Sequence, residues 1–394
     1  MITFGHSSIF PHPARDLYVR GVHHKCLRYS ILTVGAVFAD HLVGRPLDRY
    51  RALHNIALRS IQQNLQISEY DEGLAMSVFL MAWLDVAQAQ YERCRKHILG
   101  MHLIITRLRQ RNHSELSPLM VQIYRVGIMF DWIVALLILE KPIIPPIPPG
   151  DERHRLWTSP STTTSEQTEW LLASFAMDIL VHRACHITYD LHSRKQDFVS
   201  QDLKITLVRA LHSEARAWSD RPIIQKAEVL EQLAQITDTS TGSCGESSNM
   251  RFLDFPVLRI TNRFYANLHM TWCMVQILVS LITVPYVGSM VCKERYKWDV
   301  SICRTLAALG ETTDEIFSLQ YWANFLAGVA FGGSSQTFAE LEWVMLRNTH
   351  FQHNLAHCKR FVTVFNGIWH LTATENFWDE FKKRVRGCAV RHSH

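Results

Sequence analysis

The chain has 394 residues, of which 47% are hydrophobic and 20% are charged. This composition excludes an intrinsically disordered protein and supplies enough apolar surface for a large core. The 41 basic and 36 acidic residues give a formal charge of only +5 and are largely interleaved, which is atypical of an extended nucleic-acid-binding face.

Four helical segments are predicted between His23 and Leu108. Gly44 and Pro46 separate the first two segments, because both residue types break helices. In each segment the apolar residues recur every three or four positions, as on the buried face of a helix. These residues are Leu27, Ile31, Val34 and Phe38; then Leu53, Ala57, Ile61 and Leu65; then Leu74, Val78 and Met81; and finally Tyr91, Cys94, Ile98, Met101, Ile105 and Leu108.

Capping and breaker residues mark the further helices. Ser68 and Asp71, three residues apart, resemble a capping box at the start of the third segment. Another buried helix is predicted from Leu119 to Glu140, followed by a Pro/Ser/Thr-rich loop at 141–165. Helices are expected to resume at 166–189, 202–220 and 226–237, before a flexible loop at 237–250.

No alternating strand pattern and no internal repeat are found. The sequence therefore predicts an all-α protein, a multi-helix array of hairpin-like pairs around one large core.

The four N-terminal segments resemble a known family in their order and wording. They read HHKCLRYSILTVGAVFADHL, YRALHNIALRSIQQNL, DEGLAMSVFLMAWLDV and YERCRKHILGMHLII, and they are similar to the fungal-specific transcription factor domain. YWANFLAGVAF at Tyr321–Phe331 and HLTATENFWDEFKKRV near the C-terminus also resemble that family. The resemblance implies an N-terminal extension at 1–22 and a helical regulatory domain at 23–390. It further implies transcription regulation in the nucleus (the cytoplasm being the alternative), with protein partners such as a second copy or the transcription machinery.

The family's DNA-binding module is absent from this sequence. That module needs six cysteines around two zinc ions, whereas the first cysteine here, Cys26, already lies in the first predicted helix, and no C-x-x-C pair occurs. Direct DNA binding is therefore not expected. Three explanations stay open: loss of the module, a gene prediction that begins downstream of it, and a free-standing regulator.

No signature of enzyme chemistry is found: no zinc-protease helix, nucleophile elbow, phosphate-binding loop or dinucleotide fingerprint. We therefore expect no catalytic residue and no cofactor. A small apolar effector is one possible partner, and the aromatic segment suggests Tyr321, Trp322, Asn324 and Phe325 as its wall, although such residues are more often plain core.

Two further patterns have alternative interpretations. The apolar segment 270–284 is interpreted as a core helix, with a membrane-associated protein anchored through it as the alternative. His350, His353 and His357 share a helical face that could bind a transition metal, but ordinary helix histidines explain them better. The pair His182 and His186 is interpreted in the same way. An all-α enzyme of unknown type is the remaining alternative.

Overall fold

The computed structural model describes residues 13–42, 48–68, 70–88, 90–112, 116–138, 140–147, 165–193, 201–225, 272–273 and 275–276. Across these ranges the chain is mainly α-helical and has no strand, which confirms the predicted all-α class. The helices are α1 (Pro13–His23), α2 (Lys25–Leu42), α3 (Asp48–Gln66), α4 (Glu72–Ala87), α5 (Tyr91–Asn112), α6 (Pro118–Ile138), α7 (Ser165–Ser193) and α8 (Gln201–Ser219).

The contacts divide the chain into two compact units. Helices α1 to α6 belong to the first unit, and α7 from Glu169 onward belongs with α8 to the second. The sequence predicts one large core, whereas the contacts cluster in two units, each with its own buried apolar residues. The predicted domain boundaries at 23 and 390 stay predictions.

Helix α4 is the centre of the first unit. Its residues 73–86 are all buried, and it packs against α2, α3, α5 and α6. Phe79 stacks on Phe130 of α6 with ring centroids 5.7 Å apart. A helix that is apolar on every side is stable only where other helices cover it, and α4 satisfies this requirement.

The seam predicted on α5 is confirmed in full, since none of its six residues is more than 8% exposed. The core stripes of α2 and α3 are confirmed in part: Leu27, Val34, Ala57 and Ile61 are buried, whereas Leu65 is 38% exposed. Leu65 lies in the last turn of α3, where the stripe leaves the core.

The start of α4 differs from the predicted capping box. Asp71 is the N-cap itself, and its carboxylate accepts a hydrogen bond from the backbone N–H of Leu74 at 2.7 Å. Ser68 instead has a φ of 55° and closes the end of α3, where its N–H donates to the carbonyl of Leu65. A left-handed residue commonly ends a helix in this way, so the Ser68 part of the prediction is wrong.

Two other predicted segments are described in part. Helix α1 occupies part of the segment predicted as an N-terminal extension, and it packs on α2 with Leu17 buried. Residues 140–147 are not helical and α7 begins at Ser165, so the described residues of the 141–165 loop agree with its prediction. The predicted helix 226–237 and the loop 237–250 lie outside the described residues.

In the second unit polar contacts connect α7 and α8. Trp218 of α8 is buried, and its indole N–H donates to the carbonyl of Ala173 at 2.8 Å. Arg183 forms an ion pair with Glu214. These contacts connect α7 and α8 at two points along their length.

Candidate functional site

The residues singled out for binding fall outside the described part of the chain. This applies to the proposed effector wall (Tyr321, Trp322, Asn324 and Phe325) and to the histidine face (His350, His353 and His357). Of the apolar segment 270–284, four residues are described. None of the described helices is both long and apolar enough to span a membrane.

The most unusual polar group in the described residues is Asp85. Its side chain is completely buried near the end of α4, although an ionised carboxylate is stable away from water only when it is paired. His97 Nδ1 lies 2.8 Å from Asp85 Oδ2, and the guanidinium of Arg93 lies 3.2 Å from Oδ1. Both partners come from α5, so the pair crosses the α4–α5 hairpin.

Two residues of α3 extend this arrangement. The guanidinium of Arg93 lies 3.3 Å from His54 Nε2, and the His54 ring lies 5.3 Å from the ring of Tyr50. The hydroxyl of Tyr50 donates to Gln88 Oε1 in the turn between α4 and α5 at 3.1 Å. We call Tyr50, His54, Asp85, Arg93 and His97 the Asp85 cluster.

The hydrogen-bonding groups fix where the protons lie. A guanidinium only donates, so His54 Nε2 must accept from Arg93 and the proton lies on Nδ1. An ionised carboxylate only accepts, so His97 Nδ1 donates to Asp85. Burial, reinforced by the charge of Arg93, lowers the pKa of His54, while burial raises the pKa of Tyr50.

An imidazole oriented by a carboxylate is also the basis of general acid–base catalysis. In the Asp85 cluster, however, the carboxylate is shared with Arg93, and the side chains are used to connect three helices. This geometry makes the Asp85 cluster a junction of α3, α4 and α5. Among the described residues no group of three or more His, Cys, Asp or Glu is arranged to hold a metal ion.

A second junction is formed by Glu72 at the start of α4. One carboxylate oxygen accepts from Arg20 of α1 at 2.7 Å. The other oxygen accepts from the backbone N–H of Ser117, 2.6 Å away, just before α6 begins. Glu72 therefore fixes α1 and the beginning of α6 to the same end of α4.

A third junction is formed by Asp131, which is completely buried in α6. Its two carboxylate oxygens accept from the backbone N–H groups of Ile143 and Ile144 at 2.9 and 2.8 Å. The carboxylate thereby satisfies donors of a non-helical segment and holds the buried Ile144 against α6.

The histidine pair of α7 belongs to the second unit. His182 and His186 are buried, with ring centroids 4.7 Å apart in an edge-on arrangement, and Cys185 between them is buried as well. Their i, i+4 spacing predicts one shared helix face, which the structure confirms. Packing explains this pair better than metal binding.

The three acidic junctions were missed by motif reasoning, but two of them have a signal in the sequence. Asp85 is the only charged residue between Gly73 and Ala87, and Asp131 is the only acid in α6. A single acid within an otherwise apolar helix must be paired once that helix is buried. The partner residues have no comparable signal, because they lie on other helices.

Comparisons of the chain with protein-family models, with curated proteins and with solved structures found no match.

Proposed function

We propose that this protein regulates transcription through a helical domain that resembles the fungal-specific transcription factor domain. It would act through protein contacts or by sensing an effector. The observation that carries the proposal is that the segments resembling the family match helices that pack together. The four segments that resemble the family coincide with α2, α3, α4 and α5, and these helices pack together in one unit around the buried α4.

The internal charges connect helices of the first unit, as a scaffold for protein contacts requires. Glu72, Asp85 and Asp131 each bind groups from another element of the first unit, so these buried or half-buried acids are used to position helices. An effector or a partner would act by favouring one packing of these helices over another. The effector wall at Tyr321, Trp322, Asn324 and Phe325 is part of this proposal.

A tethering experiment tests the function. The full chain is fused to an unrelated DNA-binding module and expressed with a reporter gene that carries the cognate sites. We expect reporter transcription to rise or fall relative to the module alone. A Phe79→Asp variant, which places a charge in the α4 core, should abolish the effect, whereas Leu103→Asp on the exposed side of α5 is the matched surface control.

Two further measurements separate the alternatives. A fluorescent fusion should accumulate in the nucleus, and an equal distribution or a membrane signal would contradict the proposal. The purified chain should not shift labelled DNA by itself. The tethering experiment is run with one reporter that detects activation and one that detects repression. If the tethered chain changes neither, a role in transcription is contradicted.

A further inference from the structure

The Asp85 cluster connects the first half of α3 to α4 and α5. Helix α3 packs mainly against α2, and its contacts with α4 are few. Tyr50 and His54, both in the first two turns of α3, supply the polar links to α4 and α5. The attachment of this end of α3 to α4 and α5 therefore depends on a small number of side chains.

The link between His54 and Arg93 can exist only while His54 is neutral. At 3.3 Å the guanidinium donates to Nε2, and a guanidinium cannot accept a hydrogen bond in return. A proton on Nε2 would replace the acceptor with a donor and place a second positive charge beside Arg93. The hydrogen bond would be lost and the two cations would repel each other.

The groups that act on His54 come from all three helices: Tyr50 on α3, Asp85 on α4, and Arg93 with His97 on α5. Asp85 would attract a proton to His54, but its carboxylate is already bound by Arg93 and His97. Burial of the imidazole and the charge of Arg93 oppose that proton and lower the pKa of His54.

We propose that His54 is a proton-sensitive latch, which holds the first half of α3 on α5 when neutral and releases it when protonated. The inference rests on the Asp85 cluster alone and is independent of the proposed function. Because the pKa of His54 is lowered by folding, its contribution is complete above the ordinary histidine value of about 6.5. The contribution is lost as the pH falls through the folded pKa.

Hydrogen–deuterium exchange on the full chain tests the latch. Exchange is measured at several values between about pH 7.5 and about pH 5, a range around the histidine pKa, and corrected for the intrinsic rates. We expect amide protection in residues 52–56, the first α3 amides with intrahelical acceptors, to fall several-fold in acid, while protection in α5 stays nearly constant. Under the same conditions His54→Gln, whose amide oxygen can still accept from Arg93, should show no such fall.

His102→Gln is the matched control, because His102 contacts the hydroxyl of Tyr124, which can accept as well as donate. This variant should keep the acid response of the wild type. His54→Phe, which keeps an aromatic ring beside Tyr50, serves as a second variant that cannot titrate. The proposal is overturned if wild-type α3 is no more acid-sensitive than α5, or if either His54 variant loses protection as the wild type does.

Discussion

The imidazole Nδ1 of His97 donates to the carboxylate of Asp85 at 2.8 Å, and this carboxylate has no exposed surface. Helices α4 and α5 are thus joined by a charge that water does not reach. Removing one partner from such a contact costs more than the contact itself contributes, because the remaining groups lose their compensation.

Asp85→Asn should lower the free energy of unfolding by about 2–3 kcal/mol, the usual cost of disturbing a buried charged hydrogen bond. The amide keeps the size of the side chain but can present an N–H to Arg93, whose guanidinium only donates. Urea denaturation measures the change. Glu92→Gln, an exposed acid in the first turn of α5, is the control and should change stability by less than about 0.5 kcal/mol. Equal losses in the two variants would contradict the burial of Asp85.

Two aliphatic residues of α5 provide a matched test of its orientation. Ile98 is fully buried, whereas Leu103 is 54% exposed. Ile98→Ala should cost about 2–5 kcal/mol, because it removes buried carbon atoms and leaves a cavity. Leu103→Ala should stay within about 0.5 kcal/mol of the wild type by thermal or urea unfolding. A reversed order would show that α5 is rotated about its axis.

Asp71 caps α4 through the N–H of Leu74 at 2.7 Å. Asp71→Ala should lower the free energy of unfolding by about 1 kcal/mol, since the helix loses a bonded donor and a negative charge at its positive end. Asp71→Asn keeps a capping oxygen and should retain most of the stability. If the alanine and asparagine variants are equally unstable in urea, the cap is not the reason for the loss.

Ser68 has a left-handed backbone with a φ of 55°, a conformation that favours glycine. Ser68→Gly should therefore raise the melting temperature, with a gain of up to about 1 kcal/mol from relieved strain. Ser68→Val should lower it, because a β-branched side chain tolerates this conformation poorly. Calorimetry measures the two melting temperatures, and the changes from the wild type should have opposite signs.

Burial raises the pKa of Cys94 well above its ordinary value of 9.0 and also raises that of Cys26. The contribution of these neutral thiols to stability is present below that ordinary value and is lost as the pH rises above it. We expect iodoacetamide at neutral pH to modify both residues far more slowly in the folded chain than in urea. Mass spectrometry of the peptides measures the rates, and comparable rates in the two conditions would exclude burial of the thiols.

Most of the fold of the first unit could be predicted from the sequence. Apolar spacing is a local property, and a seam such as Ile98, Met101 and Ile105 can bury only one side of a helix. The end of α3 could not be predicted with the same accuracy. Ser68 and Asp71 fit a capping box by residue type, and only the backbone angle at Ser68 shows that the two belong to different helices.

Only part of the Asp85 cluster could be predicted from the sequence. The burial of Asp85 follows from its position in an apolar helix, whereas its partners His97 and Arg93 are two of many polar residues on α5. The contact of His54 with Arg93 is even harder to predict from the sequence, since it depends on how α3 lies across the α4–α5 hairpin. Contacts between helices depend on tertiary packing, and neither spacing nor residue type determines them.

The enclosure of α4 on every side has a consequence for synthesis of the protein. Helix α4 is complete at Ala87, but α6, one of its covers, ends only at Ile138. At roughly 5–20 residues per second, those roughly fifty residues take several seconds to emerge from the ribosome. During that interval the apolar side of α4 that α6 covers is exposed, and we expect a holding chaperone to shield it until α6 has been made.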